Sequence, residues 1–197
     1  MKKELILASA SPRRSELLAM TGMRFKVYPA DVDETLLQGW TETEAVMELA
    51  VRKAKFVSPV FPDSIILSAD TMVFCSGELL GKPIDEKDAV RMLKTLSGKE
   101  HEVLTGLCLL DTENNKSVVC FEQTKVRFRD LYEEDIAYYL LSGEPFDKAG
   151  AYAIQGKASM FIESIQGCYF NIVGLPLFRL GQALQELGVR WTDLVKD

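Results

Sequence analysis

Carboxylates and cations that could act on a charged substrate recur at separated places along these 197 residues. Ser9, Ser11, Arg13 and Arg14 crowd into Ala8-Ser-Ala-Ser-Pro-Arg-Arg14, Glu34 ends the acidic loop Ala30-Asp-Val-Asp-Glu34, and Lys53, Asp70 and Lys82 follow. Cations with backbone N–H groups hold phosphate oxygens, and carboxylates hold Mg²⁺ or orient a water. The mixture points to phosphoanhydride hydrolysis. His101 is the only histidine, which argues against a His-based triad or a His-rich metal centre. No GxxxxGK[ST] occurs and no GxGxxG follows a strand, so neither a P-loop nor a dinucleotide fingerprint is present.

The elements that must position these residues can be read in chain order. A short apolar strand, Leu5 to Ala8, runs into a Ser-rich turn and a helix opening at Ser11-Pro12. Ser is a good N-cap, and Pro fits the first helical position, where no N–H is needed. Arg13 and Arg14 in that first turn oppose the helix dipole, worth ~0.3–1 kcal/mol each. Either both point into solvent or an anion sits there, and serine hydroxyls, N–H groups and guanidinium groups together make a phosphate site.

Gly22 stops that helix and Phe25 to Tyr28 forms a second strand. Thr41 with Glu44 makes a capping box for a helix whose apolar stripe is Val46, Leu49, Ala50, Ala54 and Val57. Lys53 falls on that stripe, with Arg52 and Lys55 away from it. A lysine there either has a partner for its ammonium or snorkels out at the edge. Ser64 to Cys75 is apolar nearly throughout, as expected of a central strand covered on both faces, and Asp70 interrupts it. Such a carboxylate must be paired, metal-bound, facing a site or bonded to nearby backbone. Ser76-Gly77 turns the chain back so that Lys82 returns beside Asp70.

Asp85 caps a third helix ending at Ser97-Gly98. His101 to Asp111 and Ser117 to Arg129 form an antiparallel hairpin, and Glu133 to Ser142 a short helix. A Gly- and Ala-rich loop, Asp147 to Tyr152, precedes Gln155. Phe161 to Ile165 is a strand, and a last helix carries Leu177, Leu180, Leu184 and Leu187 to a stop at Gly188.

With 47% hydrophobic and 26% charged residues the composition is that of a globular domain, read as a single domain over 1–197 with or without two lobes. A net charge of -6 without a basic patch argues against a nucleic-acid polymer or an anionic membrane as partner. No apolar run reaches the ~20 residues of a membrane span. After Lys2 and Lys3 only a short apolar stretch follows, less than a secretory signal needs. Cys75, Cys108, Cys120 and Cys168 are widely spaced without CxxC, which reads as free thiols in a reducing cytoplasm.

Seven segments in order resemble the motif series of the Maf family: Ala8 to Arg14, Val32-Asp-Glu34, Ser68-Ala-Asp-Thr71, Gly81-Lys-Pro83, Ser97 to His101, Asp147 to Tyr152 and Asn171 to Leu177. Maf proteins are house-cleaning nucleoside triphosphate pyrophosphatases. The resemblance implies an α/β fold, an elongated two-lobed mixed sheet flanked by helices with a central cleft, as in the inosine triphosphatase-like (Maf/Ham1) enzymes. Ser11-Pro-Arg-Arg14, Asp70-Thr71 and Ala153-Ile-Gln155 are similar to the dTTP/UTP-preferring branch, whereas the 7-methyl-GTP branch has Trp after Ser-Pro.

The substrate so implied is dTTP or UTP, cleaved to the monophosphate and pyrophosphate with a divalent cation, Mg²⁺ or Mn²⁺. Asp70 would take the proton of the attacking water or bind the metal, two roles the sequence does not separate. Glu34 would help hold the metal. Arg13, Lys53 and Lys82 would neutralise the triphosphate, and Ser9, Ser11 and the helix start would cradle a phosphate, with Arg14 in support. Arg13, Thr71 and Gln155 are candidates for base discrimination; the Gln155 amide offers a donor and an acceptor to a pyrimidine edge or bonds its own backbone. Two other readings stay open, a nucleotide-binding regulator of septum formation with little turnover and a pyrophosphatase for modified nucleotides. A homodimer is an expectation of the family only.

Overall fold

The computed structural model describes residues 3–35 and 39–195. Seven strands join in one mixed sheet of order β2-β1-β3-β5-β6-β7, with β4 paired to β3, and helices flank it. β1 (Glu4–Leu7), α1 (Pro12–Met20) and β2 (Phe25–Val27) make a parallel βαβ unit, with Leu5 opposite Phe25. α2 (Glu42–Val57) then carries the chain to β3 (Ser64–Cys75), parallel to β1 with Leu7 opposite Leu67. Both crossovers are helical, as parallel pairing requires. β3 is buried at every position but Thr71, as its unbroken apolar run implies.

β4 (Glu78–Leu80) returns antiparallel to β3. α3 (Glu86–Leu96) starts at Asp85, whose Oδ1 accepts from Asp88 N at 2.7 Å. β5 (Glu100–Asp111) and β6 (Lys116–Phe128) follow. β6 alternates between buried Val118, Cys120, Thr124, Val126 and Phe128 and exposed neighbours, the mark of a strand with one wet face. After α4 (Glu133–Leu140), β7 (Ile162–Gln166) pairs antiparallel with β6, then α5 (Tyr169–Val173) and α6 (Leu177–Leu187) close the order. α5 was not legible in the sequence. β2 is one residue shorter than expected, and the strand expected over 161–165 lies at Ile162–Gln166.

Two compact units share the chain, and neither is one continuous segment. The first comprises Met1–Asp70, Thr105–Glu122 and Gly174–Asp197, the second Thr71–Leu104 and Gln123–Val173. In the first, α2 lays Ala50, Ala54 and Val57 on Ile6, Ala8, Ile66 and Cys108. In the second, Leu80, Leu93, Phe128, Tyr139, Tyr152 and Phe161 form the centre of the core. All four cysteines are free; Cys75, Cys108 and Cys120 are buried and Cys168 is half-buried. Among the described residues no helix is long and apolar enough to cross a membrane.

His101 stands in the second core, 1% exposed and edge-on to Phe128 and Tyr152. Its Nε2 lies 2.8 Å from the Tyr152 hydroxyl, and its Nδ1 has no hydrogen-bond partner among the described residues. Burial pushes the imidazole down to about 4 from 6.5. The unfolded chain therefore binds a proton that the folded chain refuses, and stability falls as pH drops through that window. Between pH 6.5 and 5 the wild type should lose about 1.5 kcal/mol more than His101→Gln, by urea unfolding at each pH. Parallel curves for the two proteins would show that burial of His101 does not set this pH dependence.

Candidate active site

Helix α2 and strand β3 bring the chemistry together in the first unit. The Thr41 box forms: its Oγ1 accepts from Glu44 N, and its own N–H donates to Glu44 Oε2 at 2.8 Å. From that start the helical period buries Ala45, Val46, Leu49, Ala50, Lys53, Ala54 and Val57 along one stripe. Two contacts fix the stripe on the sheet. Ser68 of β3 donates its hydroxyl to the Ala50 carbonyl at 2.6 Å, and Gly106 of β5 lies so close to α2 that a Cβ would meet Val46 O at 2.2 Å. Ser68 and Asp70 face the same side of β3 (side chains two apart), and Lys53 lies one turn after Ala50. Lys53 is thereby set over Asp70.

The lysine expected on the core side is 8% exposed, with two carboxylates against its ammonium. Its Nζ is 2.6 Å from Asp70 Oδ1 and 2.6 Å from Glu34 Oε1. Asp70 is itself 8% exposed, whereas the Glu34 side chain is largely open to solvent. Burial raises the Asp70 carboxyl above the ordinary carboxylate range; Lys53 and Arg14 pull it back, and Glu34 adds to the rise. A carboxylate so tuned is a better proton acceptor than a surface aspartate.

The Glu34 loop is held by a residue that the helical stripe set aside. Arg52 donates from Nη1 to the carbonyls of Asp33 (3.1 Å) and Thr35 (3.0 Å), which flank Glu34. Its Nε reaches Glu48 Oε1 at 3.2 Å, and its guanidinium lies over the Trp40 ring. An arginine one turn after a glutamate, beside the lysine of the stripe, was the only signal available in the sequence. Arg52→Ala should lower kcat/KM by roughly tenfold through the loosened loop, with about 1 kcal/mol of stability lost because the half-buried side chain ties down a solvent-facing loop rather than the core. Steady-state kinetics with urea unfolding checks both.

At the start of α1, Ser11 occupies the cap position with extended backbone and Pro12 is first in the helix, but the Ser11 hydroxyl makes no capping bond. Ser9 does the organising. Its buried Oγ accepts from Ser11 N at 3.2 Å and from Arg14 Nη1 at 3.3 Å. Arg14 also donates from Nε to the Gly174 carbonyl at 2.8 Å. Burial lowers the Arg14 pKa, while Asp70 and Glu34 raise it. An arginine keeps its proton regardless. Its charge therefore acts on Asp70 and Glu34 from the helix start. Arg13 is half-buried beside it.

The structure thus gathers Ser9, Arg14, Glu34, Lys53 and Asp70 in one unit, with Ser11 and Arg13 on the same helix start. Lys82, Thr71 and Gln155 belong to the second unit. Lys82 is exposed, makes no ion pair among the described residues, and lies beyond the β3–β4 ladder, which ends at Val73 and Leu80. Gln155 is exposed in a bend, and Thr71 is half-buried in β3. Among the described residues no group of three or more His, Cys, Asp and Glu side chains could hold a metal. Two carboxylates meeting at one cationic point do fit Mg²⁺ or Mn²⁺, hard cations that take one or two protein carboxylates and complete their shell with phosphate oxygens and water.

Residues 4–187 match the family described as Maf-like protein. The chain belongs to the Maf family. It is 46% identical over 186 residues to the dTTP/UTP pyrophosphatase of Pelotomaculum thermopropionicum, covering 94% of this chain and 97% of that one. The dTTP/UTP pyrophosphatase of Geobacter sp. strain M21 is 49% identical over 184 residues, covering 93% and 95%. Solved structures show the fold at much lower identity. The Staphylococcus aureus Ham1 protein superposes with a TM-score of 0.55 at 14% identity, over 94% of this chain and 100% of that one. A HAM1 protein from Coxiella burnetii gives 0.51 at 17%, over 93% and 99%. The Ham1-like mixed sheet expected from the Maf motifs is the sheet found.

Proposed function

We propose that this Maf protein hydrolyses dTTP and UTP to the monophosphate and pyrophosphate in the cytoplasm, with a divalent cation. The observation that carries the reading is Lys53 Nζ between Asp70 and Glu34, 2.6 Å from each. Cation and carboxylates at one point serve triphosphate chemistry, and relatives named dTTP/UTP pyrophosphatase over nearly their whole length supply the substrate.

Asp70 orients a water and takes its proton as the water oxygen bonds to the α-phosphorus. The bond from that phosphorus to the α–β bridging oxygen breaks, and pyrophosphate leaves with the electron pair. Lys53 and Arg13 hold the triphosphate and meet the charge growing on the bridging oxygen, and Lys82 is assigned the same task by its motif position. Arg14, tied to Ser9 and Gly174, sets the potential around Asp70. Ser9 and Ser11 shape the helix start for a phosphate. Glu34 and Asp70 would hold the metal, which when bound screens phosphate charge and acidifies water. Arg13, Thr71 and Gln155 are assigned base discrimination by motif position alone.

The test is pyrophosphate release across a panel of canonical and modified nucleoside triphosphates with Mg²⁺ and with Mn²⁺. Release on dTTP and UTP at least tenfold above 7-methyl-GTP is the expected result. Equal rates on UTP and 7-methyl-GTP would defeat the subgroup, and nucleotide binding without release on any substrate would favour the regulator.

A further inference from the structure

The ammonium of Lys53 occupies the point at which Glu34 and Asp70 converge. A divalent cation bridging the carboxylates at that point would displace the ammonium from Asp70 Oδ1 and Glu34 Oε1, so lysine and metal compete for one place. The competition is built rather than incidental. Lys53 is held on the buried stripe of α2, α2 is pinned to β3 by the Ser68–Ala50 bond, and Arg52 fixes the backbone on both sides of Glu34. A buried lysine cannot swing into water without losing its partners, which costs far more than breaking a surface pair. A triphosphate changes the balance by offering the ammonium other anionic oxygens.

We infer that Lys53 excludes free divalent cation from the Glu34–Asp70 pair in the nucleotide-free protein and gives up that place only to an incoming triphosphate, so that metal and nucleotide load together. The inference rests on the reading that Glu34 and Asp70 hold the metal. It is a property of the resting protein, so it can be measured without turnover. A site loaded only with nucleotide does not draw on free Mg²⁺ before substrate arrives.

Mn²⁺ binding to nucleotide-free protein, read by electron paramagnetic resonance of the free ion at pH 8, tests it. Wild type should bind Mn²⁺ only in the millimolar range. Lys53→Met, which leaves a chain of similar length without charge, should bind at least about tenfold more tightly. Lys53→Met/Asp70→Asn should lose that gain. Micromolar binding by wild type would overturn the inference without any variant, and so would Lys53→Met of native circular dichroism that binds no better than wild type. Tight binding that survives in the double variant would mean the ion sits elsewhere. Pyrophosphate release by wild type and Asp70→Asn, measured alongside, tests the site reading separately: loss in Asp70→Asn with no gain in Lys53→Met removes only the competition by Lys53.

Discussion

Asp70→Asn should reduce pyrophosphate release by about a thousandfold or more at saturating UTP and Mg²⁺, with a melting temperature equal to or above that of wild type. The loss follows from chemistry: an amide cannot take a proton, and a positioned base contributes roughly 10²–10⁴ in rate. A charge lost from the metal pair adds to it. The stability half follows from burial. Desolvation leads the causes that raise the Asp70 pKa, so the ionised form is disfavoured in the folded protein relative to the unfolded chain. Above the raised pKa that cost is present in full, and it disappears as pH falls and the group protonates. Asn removes it at all pH, and Glu34, 2.6 Å from Lys53 in the wild type, remains as a partner for the ammonium. Activity and stability therefore move apart, as they do where a strained site serves function. Turnover near wild type would remove Asp70 from the centre of the mechanism. A large fall in melting temperature would instead make the Lys53–Asp70 pair structural.

The fold was legible wherever one local rule acted alone. The Thr41–Glu44 box, the buried stripe of α2, the apolar run of β3 and the wet face of β6 each follow from spacing, and each is found. One pair of the site was foreshadowed by residue environment: a lysine on an apolar stripe and an aspartate in a buried strand each called for a partner, and they are each other's. Arg13, Thr71 and Gln155, by contrast, were singled out for base discrimination by the Maf resemblance. What escaped were groups whose role depends on chain far away. The Arg52 task needs carbonyls nearly twenty residues upstream, which no helical wheel contains. Ser9 outranks Ser11 because an inward hydroxyl in the turn meets both a backbone N–H and Arg14, whereas cap propensity considers only the helix end. The Asn171 amide, read only as part of a motif, donates to Val103 O at 2.9 Å and to Thr124 Oγ1 at 3.0 Å in the second core. Motif spacing located such residues without saying what they touch.

Gly106→Ala should cost about 3 kcal/mol or more and lower turnover as well, although the residue touches no substrate. Sequence gives no hint of this glycine, which sits mid-strand in β5, where glycine ordinarily weakens a sheet. The reason is the approach of α2. A methyl group there would lie 2.2 Å from Val46 O, 2.4 Å from Val46 C and 2.7 Å from Met47 N, all backbone, so no side chain can turn aside. Either α2 lifts from the sheet or β5 buckles. Lifting α2 moves Lys53 away from Asp70 and draws Arg52 off the Glu34 loop, and small misplacements of such groups are costly in rate. Gly181→Ala in α6 is the matched control: nothing lies within 4 Å of its added Cβ, and the exchange should stabilise the helix by about 0.5–1 kcal/mol with turnover unchanged. Urea unfolding and pyrophosphate release on both variants separate the effects. If Gly106→Ala unfolds early but keeps full turnover, the close approach stabilises the domain without setting the site. If it keeps both, α2 is not held on the sheet at Gly106, and the Ser68–Ala50 bond alone positions Lys53.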